Sequence, residues 1–283
     1  MSIGRHSRTY TRISASGGLG VAFSDILETV SVQGLAWHLA LRDIRLRYRR
    51  TVIGPFWTVL STSLFVAALG LVTTLLFGRD PYTFIPEFAA AYFIWVTIVA
   101  FVLEAAVAFT GAEQVIRSMR SPLTLHIERV IIRNTVVFFH LLVVFVPLAV
   151  FLNVPVHFAA VGWWLFGIVL LVANGMWIGL LTAIINTRFR DFYQLVATAL
   201  QILFFLVPIF WDPALLEVNA PLVHSILVVY NPFYMQIQVI REPMIGQAIT
   251  LNNYLVLAII ALAGSVIAVA ALGFAKRRIG VWL

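Results

Sequence analysis

One lysine, Lys276, occurs in the 283 residues. A nucleotide-binding loop of the form G-x-x-x-x-G-K-[ST] needs a lysine to reach the β- and γ-phosphates. Lys276 stands between Ala275 and Arg277 with no such glycines around it, so the chain is not a P-loop ATPase. The absence of cysteine removes disulfides and thiolate metal sites. His126, His140, His157 and His224 share no ligand spacing, and no metal site is expected. No G-x-S-x-G, H-E-x-x-H or paired-carboxylate motif is present. His38 and Asp43 match an H-x-x-x-x-D spacing used by some membrane acyltransferases. They stand in an arginine-rich helix with no neighbouring nucleophile, and the match is read as chance. No catalytic residue is assigned, and the chain is not expected to be an enzyme.

Glu104 is the one carboxylate inside an apolar run. Ionisable groups in such runs face a polar path, carry protons, or are paired with other polar groups. An ion-coupled carrier would use Glu104 in the first two ways. A carboxylate paired near the inner boundary needs no transport role.

The elements that position these residues follow from composition. Apolar residues make up 61% of the chain and charged residues 11%, and the mean hydropathy is +0.98. Soluble domains hold about 45–50% apolar and about 25% charged residues, so this chain is built for lipid. An apolar run of about 18 or more residues spans the ~30 Å hydrocarbon core as a helix. Six spans are expected, at residues 53–77, 88–110, 130–152, 158–185, 195–210 and 251–275. Asn153-Val-Pro155 divides the third from the fourth, because proline cannot continue a helix. Residues 211–246 are charge-poor but broken by Asn219, Pro221 and Asn231-Pro232, which favour turns.

Charge arbitrates between a seventh span and a hairpin there. With six spans, only Arg79 and Arg241 of the 19 Lys/Arg fall outside, as the positive-inside rule requires. A seventh span would carry Lys276, Arg277 and Arg278 out. Residues 211–246 therefore read as an outer re-entrant helical hairpin between spans five and six. Irregular backbone at that depth must be buried in protein or line a wet cavity. The expected fold is an all-α membrane protein of six transmembrane helices, with an N-terminal interfacial helix and this hairpin. Residues 1–31, with Arg5, Arg8 and Arg12 and no apolar signal region, read as a polar cytoplasmic extension. Residues 51–283 form the membrane domain, and both termini are expected on the cytoplasmic side. The charge lies in short loops between spans, which argues against nucleic acid as the partner of this +7 chain.

Residues 32–50 carry the densest charge. On a helical wheel Trp37, Leu41, Ile44 and Tyr48 form one stripe, and Leu35, Leu39 and Leu46 fall opposite. His38, Arg42, Arg45 and Arg49 fill one flank; Asp43, Arg47 and Arg50 fill the other. An interfacial helix usually shows one apolar face. Two apolar edges suit a helix held between the membrane domain and a cytoplasmic partner, and a lipid-surface anchor is the simpler alternative. Gly54-Pro55 then re-aims the chain into the first span. Between spans two and three, residues 112–119 (Ala112, Glu113, Gln114, Val115, Ile116, Arg117, Ser118, Met119) read as a short helix presenting Val115, Ile116 and Met119. Those side chains suit docking, or contact with the membrane surface. Ser121-Pro122 then reads as an N-cap and first turn.

The segment Leu39-Ala-Leu-Arg-Asp-Ile-Arg-Leu-Arg-Tyr-Arg-Arg-Thr-Val-Ile-Gly-Pro-Phe-Trp57 resembles the approach to the first span in permease subunits of ABC-type polysaccharide exporters, which move O-antigen, capsule or teichoic acid. Asn186-Thr-Arg-Phe-Arg-Asp191 through Phe204-Phe-Leu-Val-Pro-Ile-Phe210 is similar to the same family, as is Asn231-Pro-Phe-Tyr234 on to Arg241 and Gly246. The resemblance runs from about residue 32 to the end and implies a homodimer in the bacterial cytoplasmic membrane with two copies of a separate ABC ATPase. ATP and Mg would sit on that partner, with no cofactor on this chain. It further implies that residues 32–50 lie at the inner surface, with Trp37, Leu41, Arg42, Asp43, Arg45, Arg47 and Tyr48 as interface residues. Residues 112–119 would dock in a groove of the ATPase, and residues 211–246 would border the exit of the path. A lipid-linked glycan path needs rings with an apolar face and a polar handle. Trp57, Tyr92, Trp95, Trp177, Phe204, Phe205 and Trp211, with Glu104, are the candidates for its lining. Belt or lipid-facing packing is the competing role of each aromatic.

Overall fold

The computed structural model describes residues 18–283 apart from Arg50, Pro55, Arg120 and Val156. The extension arginines Arg5, Arg8 and Arg12, Arg50 on the flank of the interfacial helix, and the Pro55 bend lie outside the described residues. Among the described residues the chain is helical, with no strand. The helices are α1 (Gly18–Ser31), α2 (Gln33–Arg47), α3 (Phe56–Phe77), α4 (Pro81–Ala106), α5 (Ala108–Gly111), α6 (Glu113–Ser118), α7 (Leu123–Phe151), α8 (Val161–Arg188), α9 (Phe192–Leu206), α10 (Ala214–Asn219), α11 (Pro221–His224), α12 (Pro232–Met244) and α13 (Leu251–Trp282).

Five helices are long and apolar enough to cross a membrane: α3, α4, α7, α8 with its 3-10 lead-in from Phe158, and α13. The fifth expected span differs. α9 has 15 residues, about 22 Å at 1.5 Å per residue, which is short of the hydrocarbon core. It stops at Leu206 because Pro208 forces its predecessor out of helical geometry, and Val207 is extended with ψ 135. The expected boundary at residue 210 overlooked that proline.

Other spans begin earlier than expected. α4 starts at Pro81 rather than residue 88, since Asp80 caps it by accepting the Tyr82 N–H at 3.3 Å and proline occupies the first turn. α7 starts at Leu123 rather than residue 130. α13 runs on through Lys276 to Trp282. α4 is the hub of the bundle. Its Phe88, Ala89, Ala90, Ala91 and Ile94 are fully buried, and it packs on α3, α7, α8 and α12.

The segment after α9 has two arms. α10, α11 and one π-helical turn at Ser225–Val229 expose Leu215, Val218, Leu222 and Ile226. α12 starts at Asn231-Pro232, where the asparagine side chain accepts the Phe233 and Tyr234 amides. It buries Tyr234, Ile237, Val239 and Ile240 against α4, α8 and α13. Gly246, which follows α12, has φ +71, and a Cβ there would collide with the Pro155 carbonyl. A glycine is needed for both reasons, and the contact seats α12 on the α7–α8 turn.

Candidate functional site

Two carboxylates and three arginines join α2 to the bundle. Asp43 of α2 accepts Arg129 Nε at 2.5 Å and Nη2 at 2.6 Å, and Arg133 Nη1 at 3.0 Å, both from α7. Glu104 of α4 accepts Arg47 Nη2 at 2.7 Å and Asn134 Nδ2 at 2.7 Å, and also pairs with Arg133. Asp43 and Arg133 side chains are each 12% exposed. Exposed pairs contribute ~0–1 kcal/mol, whereas desolvated ones mainly penalise any other arrangement. The network therefore fixes how α2 sits. Glu104 has three donors at its carboxylate, so it takes the paired role and not that of a free proton carrier. The pocket around it, about 230 Å³, also touches His126 and Ala112. It lies apart from the aromatic lining candidates.

The face that α2 buries differs from the wheel. Ala36, Ala40 and Ile44 pack inward, while Trp37 and Leu41 are exposed. Small alanines allow close approach to α7, and the Asp43–Arg129 pair sets the rotation. Tyr48 bonds the Thr58 hydroxyl at 2.5 Å, tying the end of α2 to α3. Leu35, Leu46, Arg42 and Arg45 are exposed on the remaining surface.

The sequence reading assigned no element to residues 18–31, yet α1 holds the most buried charge in the described chain. Asp25, with no exposed surface, accepts the Leu123 and Thr124 amides at 3.0 and 2.9 Å, the Thr124 hydroxyl at 2.7 Å, and Lys276 Nζ at 2.8 Å. Gly18 and Gly273 let α1 and α13 touch backbone to backbone. Asp25 takes the capping role expected of Ser121, whose hydroxyl instead meets His126 Nε2 at 3.2 Å. A carboxylate from another helix satisfies two free amides at the positive end of α7 and pairs a lysine as well. A serine hydroxyl supplies one weaker bond. The signal lay in the i, i+3, i+7 spacing of Ala22, Asp25 and Thr29, the face that α1 buries.

Just before α7, α6 forms between Ala112 and Met119, with Glu113 and Arg117 paired at 3.2 Å. It buries none of its own residues. Val115 and Met119 are exposed and Ile116 is half-buried, while Ala112 is packed into the bundle. The turn that follows α6 leads into the start of α7, which Asp25 of α1 joins to Lys276 of α13.

Four aromatic candidates converge on one groove of about 360 Å³ between α3, α4 and α9. Tyr92, Trp95, Phe204 and Phe205 line it with Phe65 and Gln201. Phe65 stacks on Tyr92 with centroids 4.6 Å apart, and Phe204 lies within 5.9 Å of Tyr92 and 6.2 Å of Trp95. Phe65 was missed by sequence reading; its four-residue offset from Ser61 and Leu69 on α3 carries no signal of its own. The other candidates lie elsewhere. Trp57 is exposed at the start of α3. Trp177 packs inside the bundle over Gly264, its Nε1 donating to Asn174 at 2.9 Å. Trp211 lines a separate pocket beyond α9.

A buried helical bundle, a short exposed helix between its second and third long helices, and an arginine-rich helix pinned beside it suit a membrane subunit driven by another protein. The ABC-2 type transporter family model matches residues 35–244, most of the chain. The chain belongs to the ABC-2 type transporter family. This ABC-2 chain is 25% identical over 219 residues to the O-antigen export system permease protein RfbA of Myxococcus xanthus, covering 73% of the present chain and 78% of that relative. The protein is thus a multi-pass membrane subunit of ABC transport, not itself an enzyme, and the family implies an ABC ATPase partner. Membership also removes the ion-coupled carrier as the reading of Glu104.

Proposed function

We propose that this ABC-2 chain is the membrane half of an ATP-driven exporter that moves lipid-linked glycan out across the bacterial cytoplasmic membrane. The convergence of Tyr92, Trp95, Phe204 and Phe205 on one groove carries this reading. Stacked rings offer sugars an apolar face, and Gln201 and the Tyr92 hydroxyl offer polar contacts that are easily exchanged. Two copies would face each other across such grooves, with α9 and the bent segment after it completing a sixth crossing. The arginine-rich ends of the helices then lie inside, with both termini, and the segment 211–246 lies outside. α6 and the exposed edges of α2 would meet two copies of the ATPase, which holds ATP and Mg. ATP-driven closure would pull on α6 and, through the Asp25 clamp and the Asp43–Arg129–Arg133–Glu104 network, on α4, α7 and α13 together. The similarity to an O-antigen export permease supports the choice of glycan.

Reconstitution with an ABC ATPase in proteoliposomes tests the reading. ATP should drive lipid-linked glycan across the bilayer, and Tyr92→Ala with Phe204→Ala should slow it at least tenfold with ATP hydrolysis retained. Glycan movement at the wild-type rate in that variant would refute the groove as the path.

A further inference from the structure

Beyond the aromatic groove the structure holds a second, polar chamber of about 340 Å³, the lower end of the ~300–1,000 Å³ range for small-molecule sites. It lies where the start of α4 and the turn after α9 meet the end of α12. Arg79, Glu87, Asp212, Gln238, Arg241, Glu242 and Gln247 bring charge and amides to it, and Phe84, Trp211 and Tyr234 bring rings. The two cavities follow one another along the same elements. α4 gives Phe84 and Phe88 to the chamber and Tyr92 and Trp95 to the groove. Phe88 and Tyr92 lie one helical turn apart, with centroids 5.8 Å apart. On the other wall Phe204 meets Phe210 at 5.5 Å, and Trp211 is held at the joint by donating to the Phe205 carbonyl at 3.0 Å.

We propose that this chamber is a binding site for one sugar residue of the exported glycan, an outer station one step beyond the aromatic groove. The proposal rests on the glycan reading above. Its chemistry selects a neutral polyol. Two arginines face three carboxylates, and two of those carboxylates are already engaged: Asp212 with Arg79 at 2.9 Å, and Glu87 with Gln247 at 2.8 Å. Glu242 is 7% exposed, and burial pushes its carboxyl up to about 7, against the pull of Arg241 and of hydrogen bonds from Gln238 and the Thr250 backbone. Arg79 and Arg241 against Asp212, Glu87 and Glu242 leave the chamber neutral or singly negative as Glu242 gains or loses its proton, which disfavours a phosphate. Among the described residues no three carboxylate or imidazole groups converge to hold a metal ion. Hydroxyl groups donate and accept, which is what a mixed set of carboxyls, amides and guanidiniums can use. A pyranose also has an apolar face for a ring such as Trp211. The Arg241 guanidinium is held at the chamber by its Nη2, which donates to the Tyr234 hydroxyl at 3.4 Å.

Photoreactive benzoylphenylalanine placed at Gln247 tests the site in cells that hold the full transporter and its glycan pathway. The same residue at Phe205 reports on the groove, and at Phe158, exposed at the turn before α8, on non-specific background. Glycan adducts at Gln247 and Phe205, with Phe158 near zero, are expected. Trp211→Ala should lower the Gln247 adduct about fivefold, and Trp211→Tyr should restore it. If the probe at Gln247 prevents folding, Glu87, its hydrogen-bond partner, reports on the same chamber. Adducts at Phe205 without adducts at Gln247 or Glu87 would overturn the chamber and leave the exporter reading intact. Adducts at neither position while glycan is exported would overturn both, and equal yields at Phe158 and Gln247 would overturn the chamber as a specific site.

Discussion

Asp25→Ala is the sharpest test of how the cytoplasmic elements are joined. In the wild type its carboxylate satisfies two amides of α7 and neutralises Lys276. Losing the cap costs about 1–2 kcal/mol. Removing one partner of a fully buried ion pair costs about 3–5 kcal/mol. The Lys276 side chain is 23% exposed and can turn to water, so its share is well below that ceiling. A total of about 3 kcal/mol follows, equivalent to a fall in Tm of roughly 5 °C for a chain of this size. Heat unfolding in nanodiscs, followed by tryptophan fluorescence, reads it directly. The double variant Asp25→Asn with Lys276→Met should be less destabilised than the two singles together, with a coupling of about 0.5–3 kcal/mol. A drop of under about 2 °C for Asp25→Ala, or strict additivity in the double variant, would refute the clamp.

Other substitutions probe the remaining joints. Asp43→Asn leaves Arg129 and Arg133 facing each other and should destabilise by about 2 kcal/mol or more. Arg133→Met leaves Asp43 with Arg129 and Glu104 with Arg47, so it should cost less; denaturant midpoints that reverse this order would contradict the network. Gly175→Ala drives a Cβ into the Phe101 ring, and the overpacking should cost about 1–3 kcal/mol in thermal unfolding. Glu242 holds its proton up to about 7 when folded and loses it near 4.5 when unfolded. The folded state therefore binds more protons in that window, and the stability from this group falls as pH rises from 4.5 through about 7. The loss is at most about 3 kcal/mol. Glu242→Gln should remove that slope, so its Tm advantage over wild type should grow with pH; a constant difference would count against the burial of Glu242.

Membrane character, the helix at residues 112–119 and the breaks at Asn219 and Asn231 were legible because proline, charge and apolar run length act locally. Helix starts were less legible. The polar first turns of α4 and α7 are held by Asp80 and Asp25, and run length alone places those starts too late. α9 was overextended because its apolar run continues past Pro208 while the helix does not. The rotation of α2 was hidden because alanines, not the large apolar residues, make its buried face, and because Asp43 chooses its partners from α7. Asp25 and Lys276 are 251 residues apart, and no local pattern links them. Of the aromatic candidates, only those on α4 and α9 came together, since the groove depends on which helices are neighbours.

The central claim is that α6 is where an ABC ATPase takes hold of this chain. The chain has no cysteine, so Val115→Cys creates a unique thiol on the exposed face of α6. A bifunctional maleimide should cross-link it to the co-purified ATPase in a nucleotide-dependent yield, and a thiol at Phe158 should give none. A stable, active complex in which Val115→Cys and Met119→Cys never cross-link to the ATPase, while Phe158→Cys does, would contradict the account.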